Sequence, residues 1–167
     1  LEPIVIRPIG FVVHQYSDEV VRSSTKGVDG VIEVLPEYVD GLRGLDGFSH
    51  IIVVAYLHRV PEEGRRVLLV RPRGLARRLG IPLETLPEVG VFATDSPHRP
   101  NPIAVSVVRL YRVVGRYLYV GNLDLYSGTP VLDIKPYTPS RCVDTLSLPN
   151  WYTQLLEIAR ERGLKEV

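Results

Sequence analysis

Residues 90–106 read GVFATDSPHRPNPIAVS. The middle of this stretch sets an acid (Asp95), a hydroxyl (Ser96), an imidazole (His98), a guanidinium (Arg99) and an amide (Asn101) between Pro97, Pro100 and Pro102. Proline fixes its own φ and pushes the residue before it toward extended backbone; Ser96, Arg99 and Asn101 each precede one. A loop this stiff holds polar side chains at set angles with little entropy left to lose, which favours binding and transfer chemistry. The plainer alternative is a rigid connector whose polar groups face water. Plain connectors, however, seldom need an acid, a donor, an amide and a histidine together.

A second polar cluster follows at residues 127–137, SGTPVLDIKPY. On a strand, Asp133, Lys135 and Tyr137 share one face, and the simple reading is an ion pair with a tyrosine packed alongside. A third feature is a run of seven arginines at 59, 65, 66, 71, 73, 77 and 78, opposed only by Glu62 and Glu63. Such a run is either a solvated face or a phosphate-facing patch. Metal chemistry has little to rest on, because His14, His50, His58 and His98 lack zinc-ligand spacing and Cys142 is the one cysteine. Ser96, His98 and Asp133 could form a hydrolytic triad, but G-x-S-x-G is absent. GLRGLDGFSH, residues 41–50, has the spacing G-x-x-G-x-x-G rather than that of a dinucleotide loop, and reads as a turn.

The elements that must carry these groups are mostly strands. Residues 4–13 read as a first strand and 15–29 as a long polar loop. Residues 31–35, 51–57 and 67–70 read as further strands, the second of them apolar enough to be central. Residues 36–42 could make one or two helical turns opened by proline. Val91 and Phe92 predict a strand into the proline loop, and 103–108 a strand out of it. Residues 105–114 and 116–122 predict a hairpin around Gly115. Gly128 is expected at positive φ in the turn before a last strand, 131–134. Asn150 is expected to cap a helix over 151–162, with Leu155, Leu156, Ile158 and Ala159 inward and Gly163 as the stop. The expected fold is therefore mostly β: a small single-sheet β-barrel over about residues 4–140, with short connecting helices and a C-terminal helix at about 150–163, in one domain spanning residues 1–167. Closure would remove the sheet edges.

Composition narrows the class. The chain has 167 residues and 45% hydrophobic content, enough for a normal core. No apolar run reaches membrane-span length, and the first residues lack a signal-peptide layout. A single cysteine permits no internal disulfide and suits the cytoplasm. Arg outnumbers Lys 17 to 3, Met is absent and Pro numbers fourteen, a composition that points to a heat-adapted source.

The motifs, taken together, resemble one family. FATDSPHRPNPIAVS resembles the FATRSPHRPNPIGLS signature of the TsaA-like proteins, whose characterised members are the TrmO tRNA N6-adenosine methyltransferases. GLRGLDGFSHIIVVAYLH, VRPRG and LDLYSGTPVLDIKPYTP resemble that family's other segments, in order, across residues 4–140. The resemblance implies a six- or seven-stranded barrel, usually a homodimer, that binds S-adenosylmethionine and methylates N6 of threonylcarbamoyl-adenosine beside the tRNA anticodon. Cofactor contacts would fall on Leu57, His58, Asp95, Val105, Ser127, Gly128, Thr129 and Pro130. The chain departs from the pattern at Asp95, where the family has Arg, and at Ser127, where it has Asp. SSTKG at 23–27 stands where the family has Pro-Arg-Gln.

Methyl transfer from a sulfonium needs alignment and exclusion of water rather than a metal. In that reaction Asn101 would accept a hydrogen bond from the target N–H. Arg99 would hold a phosphate or a carboxylate bidentately. His98, Lys135, Tyr137, Arg73, Arg77 and Arg78 would face tRNA. Two other readings stand beside this one: a non-catalytic S-adenosylmethionine- or RNA-binding barrel, and a hydrolase built on His98 and Asp133.

Overall fold

Apolar residues at every second position account for most of the architecture. In HIIVVAY the side chains of Ile51, Val53 and Ala55 are fully buried, while those between them are half-exposed. The computed structural model describes residues 2–164. Its strands are β1 (Gly10–Val13), β2 (Val28–Val34), β3 (His50–Tyr56), β4 (Leu69–Val70), β5 (Val89–Gly90), β6 (Ile103–Val114), β7 (Tyr117–Leu123) and β8 (Pro130–Pro136). The helices are α1 (Asp18–Ser23), α2 (Arg73–Leu79) and α3 (Asn150–Glu161). The chain divides into two compact units, Leu1–Arg59 with Pro102–Arg141 and Val60–Asn101 with Cys142–Val167.

The first unit is a closed antiparallel barrel in the order β1-β2-β7-β6-β3-β8, completed where Gly10 and Phe11 of β1 pair with Val131 and Pro130 of β8. Closure leaves no free edge. Val12, Ile32, Ile51, Val108, Leu118 and Val131 are among the side chains that fill the interior. The expected hairpin is present, with Gly115 at φ +56 between β6 and β7. Strand β3 is central as expected, paired on both sides, but its burial alternates because it lines one barrel wall rather than lying between two layers.

Two local expectations are revised. The first strand starts only at Gly10; Ile4 and Val5 before it are exposed and unpaired. The supposed long loop contains α1, whose N-cap Ser17 accepts a hydrogen bond from the Val20 amide at 3.3 Å and whose Val21 is buried in the barrel core.

The second unit has its own core of Ala76, Leu79, Leu86, Leu155 and Ala159, formed by α2, α3 and the segment between α2 and β5. Helix α2 lies within the arginine run and was not expected there. Gly80, at φ +62, ends it by donating to the carbonyls of Ala76 and Arg77. Arg162 adds a cation at that end, bonding the carbonyl oxygens of Leu79 and Gly80. The short strand of the 67–70 region pairs with β5 alone. Residues Val91–Ala93 form a 3-10 turn, not the predicted strand. Helix α3 agrees with expectation in its length and its Gly163 stop, although Pro149, not Asn150, occupies the N-cap.

Candidate active site

In the barrel unit the turn before β8 is fixed from both ends. The Gly128 amide donates to Val12 O at 2.7 Å, and the Val12 amide donates to Thr129 O at 3.0 Å. The Thr129 amide closes the turn on Tyr126 O, and its side chain is buried. Gly128 sits at φ +84 as expected, a conformation that disfavours a Cβ. The His14 amide donates to the Ser127 hydroxyl at 3.3 Å, so Ser127 does structural work here. Leu57 donates its amide to Pro102 O at 2.7 Å, which ties the end of β3 to the start of β6, while His58 next to it is exposed. Val105 points outward and is 69% exposed.

Arg59 belongs to this turn, although its place in the chain suggests only membership of the basic run. Its guanidinium forms an ion pair with Asp18 of α1, lies 5.3 Å over the Tyr126 ring and reaches Ser127 O at 3.4 Å. Helix α1 is thereby fastened to the turn. Nothing in the local pattern pairs residues 18 and 59, which meet only because the barrel closes. Just after α1, Ser24 bonds Gly27 O at 2.7 Å and Asn122 bonds Lys26 O at 3.0 Å, so the SSTKG segment is held to the barrel.

In the second unit the proline loop is held by Arg99. Its two terminal nitrogens donate to Thr94 O at 3.1 Å and Val91 O at 3.3 Å. The Thr94 hydroxyl accepts from the Ser96 amide at 3.2 Å. The two-pronged geometry expected of Arg99 is therefore directed at backbone carbonyls of the turn that leads into the loop. Asp95, His98 and Asn101 are exposed. The Asn101 amide bonds no described group, so it does not cap its own turn. The His98 ring lies against the backbone of Gly64, where an added Cβ would stand 3.4 Å from it. On α2, Arg73, Arg77 and Arg78 are exposed and Ala76 and Leu79 are buried.

On β8, Asp133 and Lys135 share a face and form an ion pair at 2.6 Å, while Asp133 also accepts from the Ile134 amide. The ion pair of the simpler reading is what is observed. An aspartate so engaged is a poor partner for a catalytic histidine, which weighs against the hydrolase.

The family described as the tRNA-methyltransferase O N-terminal domain matches residues 21–142. A "probable S-adenosyl-L-methionine-binding protein" of Pyrococcus abyssi is 39% identical over 96% of this chain and 84% of its own length. A tRNA (adenine(37)-N6)-methyltransferase of Escherichia coli is 41% identical over 68% of this chain, which spans 47% of that enzyme. The crystal structure of TrmO from Pseudomonas aeruginosa superposes with a TM-score of 0.61 at 29% identity, covering 87% of this chain and 61% of that one.

Proposed function

Because the chain belongs to the tRNA-methyltransferase O N-terminal domain family, we propose that it is an S-adenosylmethionine-dependent methyltransferase acting on N6 of threonylcarbamoyl-adenosine beside the tRNA anticodon. The supporting observation is the extent of the match. Residues 21–142 take in five of the six barrel strands together with both loops, 95–101 and 127–130.

When bound, the cofactor supplies an electrophilic methyl group on a sulfonium. The chain's own groups orient the reactants and tune the nucleophile. Leu57, His58, Val105 and the 127–130 turn hold the cofactor, the turn offering backbone at Gly128 without a side chain in the way. Asp95 supplies a negative charge for the sulfonium or the amino group. Asn101 accepts a hydrogen bond from the target N6–H and raises the electron density of a weak nucleophile as it attacks. Arg99 is a positioning residue: it fixes the loop that presents Asn101. His98 faces the tRNA, and Arg73, Arg77 and Arg78 meet its phosphates. The enzyme works in the cytoplasm, which its single cysteine suits, and as a homodimer, as the resemblance implies.

Calorimetric titration with S-adenosylmethionine is the first test. Saturable binding is expected, and none would overturn the proposal. The chain would instead be a non-catalytic binding module if it bound the cofactor while tRNA stayed unmodified. The Pyrococcus relative, named for binding alone, is what favours that second reading.

A further inference from the structure

We infer that the outer face of β2, β7 and β6 binds an unpaired stretch of RNA, its bases stacked on Tyr111, Tyr117 and Tyr119. The inference rests on the proposed function for its partner class, RNA. Of the groups assigned to methyl transfer, Val105 alone lies on one of these strands, six residues before Tyr111 on β6.

The face is built around a fault in the ladder. Between Leu110 and Arg112 the register of β6 against β7 shifts, so Tyr111 is an extra residue. Tyr111 and Arg112 consequently both stand outside the barrel, where regular alternation would have buried one of them. Gly121 on β7 leaves the space that lets the Tyr111 hydroxyl cross the neighbouring strand and donate to Asp29 of β2 at 3.1 Å. That bond holds the phenol above its ordinary pKa.

Each of the three tyrosines has an arginine beside its ring. Arg112 lies 4.3 Å from the Tyr119 centroid, Arg116 lies 5.1 Å from Tyr117 and Arg109 lies 5.7 Å from Tyr111. Glu33 pairs with Arg116 at 2.5 Å. Among the described residues Arg109 and Arg112 lie against rings but form no ion pair, which leaves positive charge on the face. Flat rings alternating with guanidinium groups suit a single strand: rings stack bases of any sequence, and arginines meet the phosphates between them.

An open pocket of about 520 Å³ adjoins Tyr119, which lines it with His14, Tyr16, Asp29 and Val31 among others. His14 Nε2 lies 2.9 Å from Leu125 O. A carbonyl only accepts, so Nε2 carries the proton of this bond. The Asp29 carboxylate gives the pocket an acceptor beside the Tyr119 ring, which fits a base edge that presents N–H donors.

The test is fluorescence anisotropy with a seven-nucleotide single-stranded RNA of mixed sequence and with the matching duplex. The single strand should bind more tightly than the duplex. Tyr119→Leu and Tyr111→Leu should each weaken single-strand binding about tenfold, whereas Tyr119→Phe should stay within about twofold. S-adenosylmethionine affinity should be unchanged in all three, so failure of the proposed reaction is read separately from failure of this face. Equal binding of duplex and single strand, or leucine variants that bind RNA like the parent, would overturn the inference. It would also fall if the leucine variants lost only self-association, since the face would then serve a second copy of the chain.

Discussion

Two loops carry most of the residues assigned to chemistry, and they are made rigid in opposite ways. The 127–130 turn is held by its surroundings. Its backbone is bonded to β1, Thr129 is buried, and Arg59 clamps it to α1. The 95–101 loop is held by its own composition, with alternating prolines and one arginine directed at the carbonyls of Val91 and Thr94 just before it. The first arrangement uses up polar groups: Ser127 is bonded to the His14 amide. The second leaves Asp95, His98 and Asn101 exposed on a stiff backbone. A turn fixed by its neighbours can shape a pocket, and a loop fixed by its own backbone can offer free functional groups. The two loops should therefore respond differently to substitution.

The largest contrast is expected at Asn101. Asn101→Ala should lower single-turnover methylation by roughly 10² while melting temperature and cofactor affinity hardly move, because the amide supports nothing in the fold. A fully active, folded variant would place Asn101 among the merely exposed residues. Next comes Asp95→Ala, which should weaken S-adenosylmethionine binding about tenfold, on the order of 1.4 kcal/mol, again without loss of stability. In the other loop the order reverses: Gly128→Ala should cost about 1–2 kcal/mol of stability in chemical denaturation, because a Cβ is strained at positive φ. If Gly128→Ala were as stable as the parent, the turn would be softer than its hydrogen bonds indicate.

Smaller effects test the surfaces. Replacing Arg73, Arg77 and Arg78 together with Ala should reduce the salt dependence of tRNA binding by about one unit for each phosphate that is no longer neutralised. An unchanged slope would make α2 a solvated face. The smallest effect concerns pH. Tyr111 has its folded pKa raised by its bond to Asp29, so the neutral phenol is favoured in the native state. Its contribution is complete below the ordinary tyrosine pKa and is lost as pH rises through the higher folded value. Asp29→Asn should bring the ultraviolet titration of Tyr111 back down.

The sequence discloses features whose cause is local. The hairpin at Gly115, the positive φ of Gly128 and the stop at Gly163 all follow from glycine in a tight turn. The C-terminal helix follows from apolar spacing. Features set by distant partners stay hidden. Helix α1 buries only Val21, too little for a visible period. Helix α2 is completed by Arg162, 82 or more positions away. The 91–93 segment is β-like in composition, but the pairing of β5 ends at Gly90 and the chain turns. For the candidate site, the free groups of the proline loop could be read from spacing. The Arg59–Asp18 clamp and the backbone-directed fork of Arg99 could not, since both depend on which carbonyls and carboxylates folding brings near.

Mass spectrometry of nucleosides tests the central claim most directly. Purified protein, S-adenosylmethionine and tRNA carrying threonylcarbamoyl-adenosine are incubated, and the tRNA is digested and analysed. A mass gain of about 14 Da, one methyl group replacing one hydrogen at N6 of that nucleoside alone, is the predicted result. Tight cofactor binding with every nucleoside unchanged would contradict the assignment and leave the barrel a binding module.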